Sequence, residues 1–411
     1  MTMAGCRFCG TVLQHTFVDL GMSPLCESFL TSDQLNQMEP FYPLHAKVCE
    51  RCLLVQVEEY VDPGHIFSEY AYFSSYSDAW LKHAKAYTDM IVSRLGLHGG
   101  SRVVELGSND GYLLQNFVAK GIPVLGVEPA ANVAAAAIAK GVPTTTRLFG
   151  PDTAEALVAE GMRADLIIGN NVLAQVSELN GFVAGMHRLL KPGGVITMEF
   201  PHLLRLMDEN QFDTIYHEHF SYFSFMTAAR IFAAHGLTLF DVEELWTHGG
   251  SLRIYAQHAE GSSRPIEPRV GELLAREKAA GLDRLDRYSD FTRQVEETKR
   301  KLLDFLIAAK REGRSIAGYG APGKGNTLLN YCGIRTDFLD YTVDRNPYKH
   351  GRFLPGTHIP IFHPEKIKET RPDYLLILPW NLKDEIIGQM AEIRAWGGQF
   401  VIPIPALEVR P

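Results

Sequence analysis

The sequence contains no apolar stretch that approaches the roughly 20 residues needed to span a bilayer, and no dense run of lysine or arginine. Its 40 basic and 48 acidic residues give a formal net charge of −8. A nucleic-acid binder usually carries a basic face, so we expect neither nucleic acid nor membrane among the partners. The first residues lack a basic segment followed by an apolar one, and we expect a cytoplasmic protein.

Cysteine is also scarce, because six cysteines in 411 residues are too few for a disulfide scaffold. Four of them form two C-x-x-C pairs, Cys6 with Cys9 and Cys49 with Cys52. Thiolates at this spacing fit two corners of a tetrahedron, so the two pairs predict a structural zinc site with four cysteine ligands. A redox dithiol and a chance pairing are the alternatives. A catalytic zinc is disfavoured, because such sites keep an open position and usually recruit histidine.

The other two cysteines, Cys26 and Cys332, have no cysteine close to them in the sequence. We expect both to be small buried apolar groups, since a free cysteine is among the most buried residue types.

A glycine-rich loop follows a short apolar run in the middle of the chain. Residues 85–97 predict a helix, residues 103–106 a strand and Gly107–Gly111 a tight loop, and a second helix is expected to begin at Tyr112. Strand, glycine turn and helix in this order are typical of a doubly wound sheet. The E-x-G-x-x-x-G pattern from Glu105 differs from the G-x-G-x-x-G of NAD enzymes.

The next predicted strand, residues 124–127, ends in Glu128-Pro129, and an acidic side chain there can accept the hydroxyls of a ribose. Residues 165–171 predict the fourth strand, and a Leu-Leu-Lys-Pro-Gly-Gly turn follows at 189–194. This succession resembles class I methyltransferases and implies S-adenosylmethionine as the donor. The residues expected to bind it are Glu105, Gly107, Asn109, Gly111, Glu128, Pro129, Asn170 and Asn171.

Titratable and aromatic residues are concentrated at Tyr216–Ser224, shortly after a strand that should end at the ligand edge of the sheet. His219 with Glu218 is the best acid–base pair there, because an imidazole with a pKa near 6.5 can take a proton at neutral pH. The aromatic residues could instead be core residues. A metal pair of His217 and His219 is disfavoured, since the H-E-x-x-H spacing is absent.

Two further strings look functional. His248-Gly249-Gly250 suggests a loop that approaches a ligand closely, although a histidine there could equally cap a turn. The aromatic string Tyr70–Tyr76 precedes the donor-binding part and could form a lid over it.

The C-terminal third begins with a linker at 261–265. Apolar residues then recur every three or four positions between Tyr288 and Ala309, which predicts a long amphipathic helix whose stripe serves packing. Residues 315–320 predict a strand that leads into a glycine-rich loop with Lys324. A helix that begins there would offer an anion site, without the spacing of a Walker A loop. The alternative is a structural α/β lobe whose Lys324 is only solvated.

The length suggests two or three domains, and the motifs predict an α/β protein with three parts. We expect a zinc module at 1–68, a central Rossmann-like doubly wound methyltransferase domain at 69–260, and a second Rossmann-like lobe at 261–411 that binds the acceptor.

Over essentially its whole length the chain resembles a known family, the three-domain C-methyltransferases of nucleotide-linked deoxysugars, such as the sugar C-3 methyltransferases of antibiotic biosynthesis. The four-cysteine module with Leu20–Leu25, the donor loop, the Tyr216 string, His248–Gly250 and the loop around Lys324 carry the resemblance.

The resemblance implies a monomeric enzyme whose acceptor is a dTDP-4-keto-deoxysugar. His219 would be the general base, Glu218 would support it, and Tyr216 would donate a hydrogen bond to an enolate. The loop around Lys324 would hold the diphosphate. The substrate-binding residues expected are Tyr72, Tyr222, His248, Gly249, Gly250, Tyr319 and Lys324.

One position departs from the family pattern. The family commonly has histidine after the fourth strand, in N-x-L-x-H, whereas this chain has Gln175. Glutamine can hydrogen-bond but cannot act as an acid or base near neutral pH. This change keeps open a methyltransferase that acts on a keto acid or another small acceptor. A third hypothesis, a non-catalytic binding protein that retains the donor fold, is disfavoured by the intact donor loop.

Overall fold

The computed structural model describes residues 4–62, 73–261 and 263–411. Its first sheet is antiparallel and begins between the two cysteine pairs. Three of its strands are β1 (His15–Ser23), β2 (Tyr42–Val48) and β3 (Val55–Val57). Alternate residues of β2 are buried, Leu44 and Val48 among them. This period of two is expected for a strand with one face against a core.

The central unit opens with helix α1 (Asp78–Leu95). The hydroxyl of Ser77 accepts the backbone N–H of Trp80 at 3.3 Å and caps the helix. Gly96, with a φ of +64°, ends it in the left-handed conformation. The sequence analysis expected this helix at 85–97, so its predicted start was wrong.

Seven of the next eight strands form the central sheet. The strands in chain order are β4 (Val103–Leu106), β5 (Val124–Val127), β6 (Thr144–Thr145), β7 (Ala164–Asn170), β8 (Leu190–Pro201), β9 (Ser221–Tyr222), β10 (Leu237–Leu245) and β11 (Ser251–His258). The helices between them are α2 (Leu114–Val118), α3 (Ala131–Ala139), α4 (Pro151–Ala159), α5 (Leu179–Leu189), α6 (Leu203–Asp208) and α7 (Phe225–Ala234).

The sheet order is β6-β5-β4-β7-β8-β11-β10. Strand β4 pairs in parallel with both β5 and β7, and β11 alone runs antiparallel to its two neighbours. The chain therefore reverses its direction of winding between β4 and β7, and ligands of such sheets bind at the carboxyl ends of the strands at that point. The predicted doubly wound central sheet is confirmed.

Strand β9 does not join the central sheet. It pairs antiparallel with β3, Tyr222 opposite Val55, and becomes the edge strand of the N-terminal sheet. The segment that carries Tyr216 and His219 is therefore held by the N-terminal module as well as by the central unit.

The C-terminal unit begins with three helices and continues as a second α/β fold. Its helices are α8 (Pro268–Ala279), α9 (Asp286–Ser289), α10 (Phe291–Arg311), α11 (Gly323–Cys332), α12 (Lys366–Thr370) and α13 (Lys383–Gln389). Its strands are β12 (Ile316–Tyr319), β13 (Thr342–Val343), β14 (Ile361–Phe362), β15 (Tyr374–Ile377), β16 (Gln399–Ile402) and β17 (Glu408–Arg410).

The order of this sheet is β14-β13-β12-β15-β16-β17, parallel except for β17 at the edge. The winding reverses between β12 and β15, which repeats the plan of the central sheet. The predicted second Rossmann-like lobe is confirmed.

The long amphipathic helix is α10, and its apolar stripe packs as predicted. Phe291, Val295 and Leu302 are buried, and the ring of Phe291 stacks on Phe17 of β1 with 4.6 Å between the centroids. Tyr288 lies in the separate short helix α9. The C-terminal helix thus packs against the N-terminal module.

The domain boundaries at 68 and 260 stay a prediction. Val270 and Leu273 of α8 pack in the core of the central unit, although the sequence analysis placed them in the third part. Among the residues described, none of the helices combines the length and the apolar character that a membrane crossing requires.

Candidate active site and zinc centre

The four cysteines of the two C-x-x-C pairs converge. The sulfur atoms of Cys6 and Cys52 lie 3.5 Å apart, as do those of Cys9 and Cys49. All four sulfurs fall within 4.8 Å of one another. Zinc–sulfur bonds of about 2.3 Å place the corners of a tetrahedron about 3.8 Å apart, so this cluster fits one zinc ion and leaves no open position. The predicted structural zinc centre is confirmed.

The local backbone explains why the cysteines meet. Each knuckle closes on itself, because the N–H of Gly10 donates to the Cys6 carbonyl and the N–H of Leu53 to the Cys49 carbonyl, both at 2.9 Å. Gly10 has a φ of +74°, which glycine adopts without strain. The side-chain amide of Gln56 donates to the Cys6 sulfur at 3.2 Å. Outer hydrogen bonds of this kind orient metal ligands.

The zinc module is bonded directly to the segment that precedes β9. The guanidinium of Arg7 donates to the carbonyls of Phe220 and Val57 at 2.9 and 2.6 Å, and it lies 5.1 Å from the centre of the Phe220 ring. Because Phe220 follows His219 in the chain, metal binding helps to fix the position of the predicted base.

The central and C-terminal units share one cavity of about 620 Å³, to which the N-terminal module also contributes a residue, Glu27. It lies at the carboxyl ends of both parallel sheets, where the topology predicts ligands. Six of the eight predicted donor residues line it: Gly107, Asn109, Glu128, Pro129, Asn170 and Asn171.

The donor loop turns sharply at the end of β4. Gly107 and Gly111 have φ values of +66° and +75°, and Asn109 has a φ of +48°. A side chain at Gly107 would place its Cβ 3.0 Å from Val172, so only glycine leaves room for the turn. Gly111 does not line the cavity; it allows close packing on Val142.

Glu128 holds the donor loop and faces the cavity. Its two carboxyl oxygens accept the backbone N–H groups of Asn109 and Ala130, each at 3.0 Å. Each oxygen keeps a second lone pair, which suits the two hydroxyls of a ribose. Burial raises the pKa of this carboxyl, and the two N–H donors oppose that shift.

Glu105 and Asn170, two further predicted donor residues, differ in their position relative to the cavity. Glu105 is fully buried behind the loop, where burial and the nearby carboxylates raise its pKa well above the usual value. Asn170 is nearly buried at the mouth of β7, and neither atom of its amide has a hydrogen-bond partner within the described residues. A buried amide with both positions open fits a polar ligand. The cradle therefore fits S-adenosylmethionine.

The connection before α1 covers the donor loop. The Asn109 side-chain oxygen accepts the Ser74 N–H at 2.9 Å, and the ammonium of Lys140 donates to the Ser75 hydroxyl at 2.8 Å. The Ser74–Tyr76 part of the predicted lid thus lies against the donor loop. Tyr72 falls outside the described residues.

His219 is held at both ring nitrogens. Its Nδ1 lies 3.1 Å from the Thr214 carbonyl and its Nε2 lies 2.9 Å from the Tyr216 hydroxyl. A carbonyl can only accept, so Nδ1 carries the proton and the Nε2 lone pair faces Tyr216. Burial lowers the pKa of His219 to about 4, and the charge of Lys324 contributes. The imidazole is therefore neutral at pH 7 and available as a base.

Glu218 lines the cavity but does not support His219 through a hydrogen bond, since Thr214 occupies that position. Its carboxyl accepts the Cys26 thiol at 3.6 Å. Burial, followed by the charge of Glu27, raises the pKa of Glu218 to about 8. Glu218 thus carries a proton at neutral pH. Cys26 is buried as predicted, and so is Cys332.

Three predicted substrate-binding residues, Tyr222, Gly249 and Gly250, lie outside the cavity wall. The Tyr222 hydroxyl accepts the Tyr216 N–H at 3.3 Å, so it supports the segment from behind. A Cβ on Gly249 would lie 2.5 Å from the Trp380 ring, and one on Gly250 would lie 3.0 Å from Arg205. These two glycines therefore allow close packing of protein groups.

Three of the predicted substrate residues that the structure describes do line the cavity: His248, Tyr319 and Lys324. His248 Nε2 lies 3.0 Å from the Asn171 amide nitrogen, and burial lowers the pKa of His248 to about 3. The Tyr319 hydroxyl donates to Gln389 at 3.0 Å.

Several cavity residues escaped the sequence analysis. Trp80 and Tyr112 stack on the donor side with 6.0 Å between their ring centroids. The sequence signal for Trp80 is Ser77, a residue type that caps helices, because it indicates that α1 begins early enough to include Trp80. Glu27 and Lys349 meet on the acceptor side, beside Asp344. Glu27 and Lys349 come from distant parts of the chain, and no local pattern joins them.

The doubly wound central sheet, with a glycine loop and an acidic strand end at its switch point, defines a class I S-adenosylmethionine-dependent methyltransferase. Successive parts of the chain match three families, described as a "Putative zinc binding domain" over residues 6–67, a methyltransferase domain over 80–242, and a C-methyltransferase C-terminal domain over 246–405.

The chain is 36% identical to the C-methyltransferase NovU of Streptomyces niveus over 400 residues, which cover 97% of this chain and 95% of that protein. The chain therefore belongs to this family of C-methyltransferases, and S-adenosylmethionine is its methyl donor.

More distant relatives match smaller shares of the chain. A ubiquinone biosynthesis O-methyltransferase of Chelativorans sp. (strain BNC1) is 31% identical over 24% of this chain and 39% of its own. Magnesium protoporphyrin IX methyltransferase of Synechocystis PCC 6803, solved with bound S-adenosylmethionine, is 16% identical over 49% of this chain and 99% of its own, with a TM-score of 0.35. That degree of likeness adds nothing to the assignment.

Proposed function

We propose that this enzyme methylates the carbon beside the ketone of a dTDP-4-keto-deoxysugar, C-3 in the family pattern, in natural-product biosynthesis. The observation that carries the proposal is the placement of a neutral imidazole, His219, in one cavity with the donor loop and the C-terminal lobe. We also propose that the enzyme acts as a monomer; its cytoplasmic location stays a prediction.

The chemistry follows from the carbonyl group of the acceptor. A C–H bond beside a ketone is acidic, because the carbanion is delocalised as an enolate. His219 Nε2 takes the proton, and the Thr214 carbonyl stabilises the imidazolium through Nδ1–H. When bound, S-adenosylmethionine supplies a sulfonium methyl that the enolate carbon takes, the C–S electron pair remaining on sulfur. Ordered placement of the two reacting carbons supplies much of the acceleration.

Tyr216 can act both before and after the proton transfer. In the structure its hydroxyl faces the Nε2 lone pair at 2.9 Å, so an entering substrate C–H must displace it. The released hydroxyl can then donate to the enolate oxygen, as the family pattern implies, and it places a hydrogen bond where negative charge develops.

The C-terminal lobe offers the nucleotide end of the acceptor a second crevice. Asp344, at the end of β13, accepts the Ala321 N–H at 2.7 Å through one oxygen and the Asn346 N–H at 2.8 Å through the other. This repeats the arrangement of Glu128 in the central unit, and an acidic strand end of this kind suits a ribose.

Gln175 supports a second candidate, methylation of a keto acid or another small acceptor. Its side chain lines the cavity where the family commonly has histidine. An amide can keep a hydrogen bond to a substrate hydroxyl but cannot exchange a proton near neutral pH. A changed acceptor would account for the replacement.

Mass spectrometry tests the proposal. The purified protein is incubated with S-adenosylmethionine and, separately, with dTDP-4-keto-6-deoxysugars and simple keto acids. A gain of one methyl group on a nucleotide sugar is the expected result, and Gln175 is then a tolerated variation. Turnover on a keto acid alone would overturn the sugar acceptor and favour the second candidate.

A further inference from the structure

We propose that Lys324 is a catalytic residue whose ammonium pairs with the oxygen of the enolate, and that it does not hold the diphosphate of the acceptor. This inference rests on the proposed function, because it concerns the same enolisation. It replaces the role that the glycine-rich loop around Lys324 suggests from sequence.

The first observation is where the Lys324 side chain goes. Lys324 is the second residue of α11, yet its Nζ donates to the side-chain oxygen of Asn381 at 2.9 Å and lies 4.6 Å from the centre of the Trp380 ring. Both partners are neutral groups. The ammonium thus lines the cavity on an aromatic platform.

The Trp380 ring contacts the two loops that carry His219 and His248. The indole N–H of Trp380 donates to Asp213 at 2.7 Å, in the segment that leads to His219. On its other side Trp380 touches Gly249, which follows His248 and has no room for a Cβ. Lys324 is therefore held at the reacting end of the cavity.

Helix α11 itself is bonded to the catalytic segment. The Thr327 hydroxyl, one turn after Lys324, donates to the carbonyl of Ile215 at 3.0 Å, and Ile215 precedes Tyr216. The charge on Lys324 acts on both histidines, since it contributes to the lowered pKa values of His219 and His248. Burial lowers the pKa of Lys324, and within the described residues the carboxyl that opposes this shift is Asp213. Burial raises the pKa of that carboxyl to about 7.

The start of α11 is not open to a phosphate. The carboxyl of Glu27, from the N-terminal module, lies beside Gly323, where an added Cβ would meet the Glu27 Oε1 at 3.6 Å and the Cys26 sulfur at 2.8 Å. The protein's own carboxylate thus takes the position that an anion would occupy at a helix N-terminus. Lys349 is also engaged, since it donates to the Ala321 carbonyl at 2.8 Å.

Enolisation creates a negatively charged oxygen on the acceptor, whereas the hydrogen-bond acceptor of the Lys324 ammonium in the structure is the neutral Asn381 amide. As His219 Nε2 removes the proton, the C–H electron pair forms the C=C bond and the carbonyl π pair moves onto oxygen. A buried ammonium beside neutral partners stabilises that oxygen without prior reorganisation. Removal of one preorganised oxyanion donor typically lowers kcat by about 10²–10³-fold.

The test separates the enolate role from the diphosphate role in the full-length enzyme. Lys324→Met and Lys324→Arg are compared with Lys383→Met, which removes the same charge from the nearby helix α13, outside the cavity wall. Deuterium exchange at the carbon beside the ketone is followed by NMR in deuterated water with S-adenosylhomocysteine bound, and calorimetry measures the affinity for dTDP.

For Lys324→Met we expect a loss of about 10²–10³-fold in exchange and in kcat, dTDP affinity within about threefold of wild type, and partial rescue by added methylammonium. Retained S-adenosylhomocysteine binding and thermal stability show that the variant folds. Normal exchange with weakened dTDP binding would overturn the inference alone. Absence of exchange in the wild-type enzyme, together with no methylated sugar, would overturn the proposed function and this inference with it.

Discussion

The two halves of the cavity are built in different ways. The donor half comes mainly from one stretch of chain, residues 105–171, in which consecutive strand ends supply the loop, the acidic residue and the asparagines, with Trp80 and the connection before α1 beside them. The acceptor half draws on three distant parts: Glu27 from the zinc module, the segment with Tyr216 and His219, and Lys324 from the C-terminal lobe. The donor half is therefore a property of one sheet, whereas the acceptor half forms only when the three units pack together.

This difference has a consequence for how each half can fail. A substitution in the donor half should change the affinity for S-adenosylmethionine and little else. Damage at a distance, in the zinc module or in the interface with the C-terminal lobe, should remove acceptor chemistry and leave the donor site intact. Variants in each half should therefore differ in whether they lose donor binding or acceptor chemistry.

The largest effect is expected from Cys52→Ser, which removes one zinc ligand. Structural zinc contributes folding free energy directly, so the N-terminal sheet should lose its order, and β9 and Arg7 should no longer hold Phe220 and His219. Methyl transfer should fall below detection and zinc content to near zero, while S-adenosylhomocysteine still binds. Calorimetric titration and metal analysis check this, with Cys332→Ser as the matched cysteine control. Full turnover without zinc would contradict it.

The second prediction concerns His219→Ala. We expect kcat to fall by about 10²–10⁴-fold, the usual contribution of a general base, with the KM for S-adenosylmethionine unchanged. In the wild-type enzyme kcat/KM should stay level from pH 8 to 6 and fall as the pH approaches about 4, because burial lowers the His219 pKa to about 4 and protonation then removes the base. Steady-state kinetics over pH measure this. Undiminished transfer by His219→Ala would exclude the assigned base.

Glu128→Gln tests the donor half alone. The carboxyl accepts two backbone N–H groups and faces the ribose position; replacement of one oxygen by an NH₂ group leaves an N–H without an acceptor, at a cost of about 1–3 kcal/mol. The KM for S-adenosylmethionine should rise about 10–100-fold, and the affinity for dTDP should stay the same. A loss confined to acceptor binding would contradict the division of the cavity.

The smallest effect is expected from Glu218→Gln. Burial and Glu27 raise the Glu218 pKa to about 8, so the wild-type carboxyl is neutral below pH 8 and gains a charge above it. That charge would oppose an enolate, so the wild-type rate should decline a few-fold above pH 8 and the variant rate should not. At pH 7 the two should agree within a few-fold. A hundredfold loss for the variant at pH 7 would show that the ionised form is required.

The sequence signals for the zinc centre and for the donor half are local. A C-x-x-C pair, a glycine loop after a strand and an acidic strand end each lie within a few residues, and the backbone geometry they need is encoded in residue type. Both Rossmann-like sheets followed from the same alternation of strands and helices.

The site features that the sequence did not predict depend on contacts between residues that lie far apart in the chain. Gly249 resembles a ligand-contacting glycine, but the residue that needs the space is Trp380, 131 positions later in the chain, and only the folded chain brings it there. Tyr222 lies behind Tyr216 because β9 joins a different sheet from the strands around it. The glycine-rich loop before Lys324 suggests an anion site, yet Glu27 fills it from the other end of the protein.

The most direct test of the central claim is carbon NMR of the product formed from S-adenosylmethionine labelled with ¹³C in its methyl group and a dTDP-4-keto-6-deoxysugar. We predict that the label appears as a methyl group bonded to the carbon beside the ketone, with one carbon-bound proton lost from the sugar. A label attached to oxygen, or none in the sugar at all, would contradict an enolate formed by His219 in this cavity.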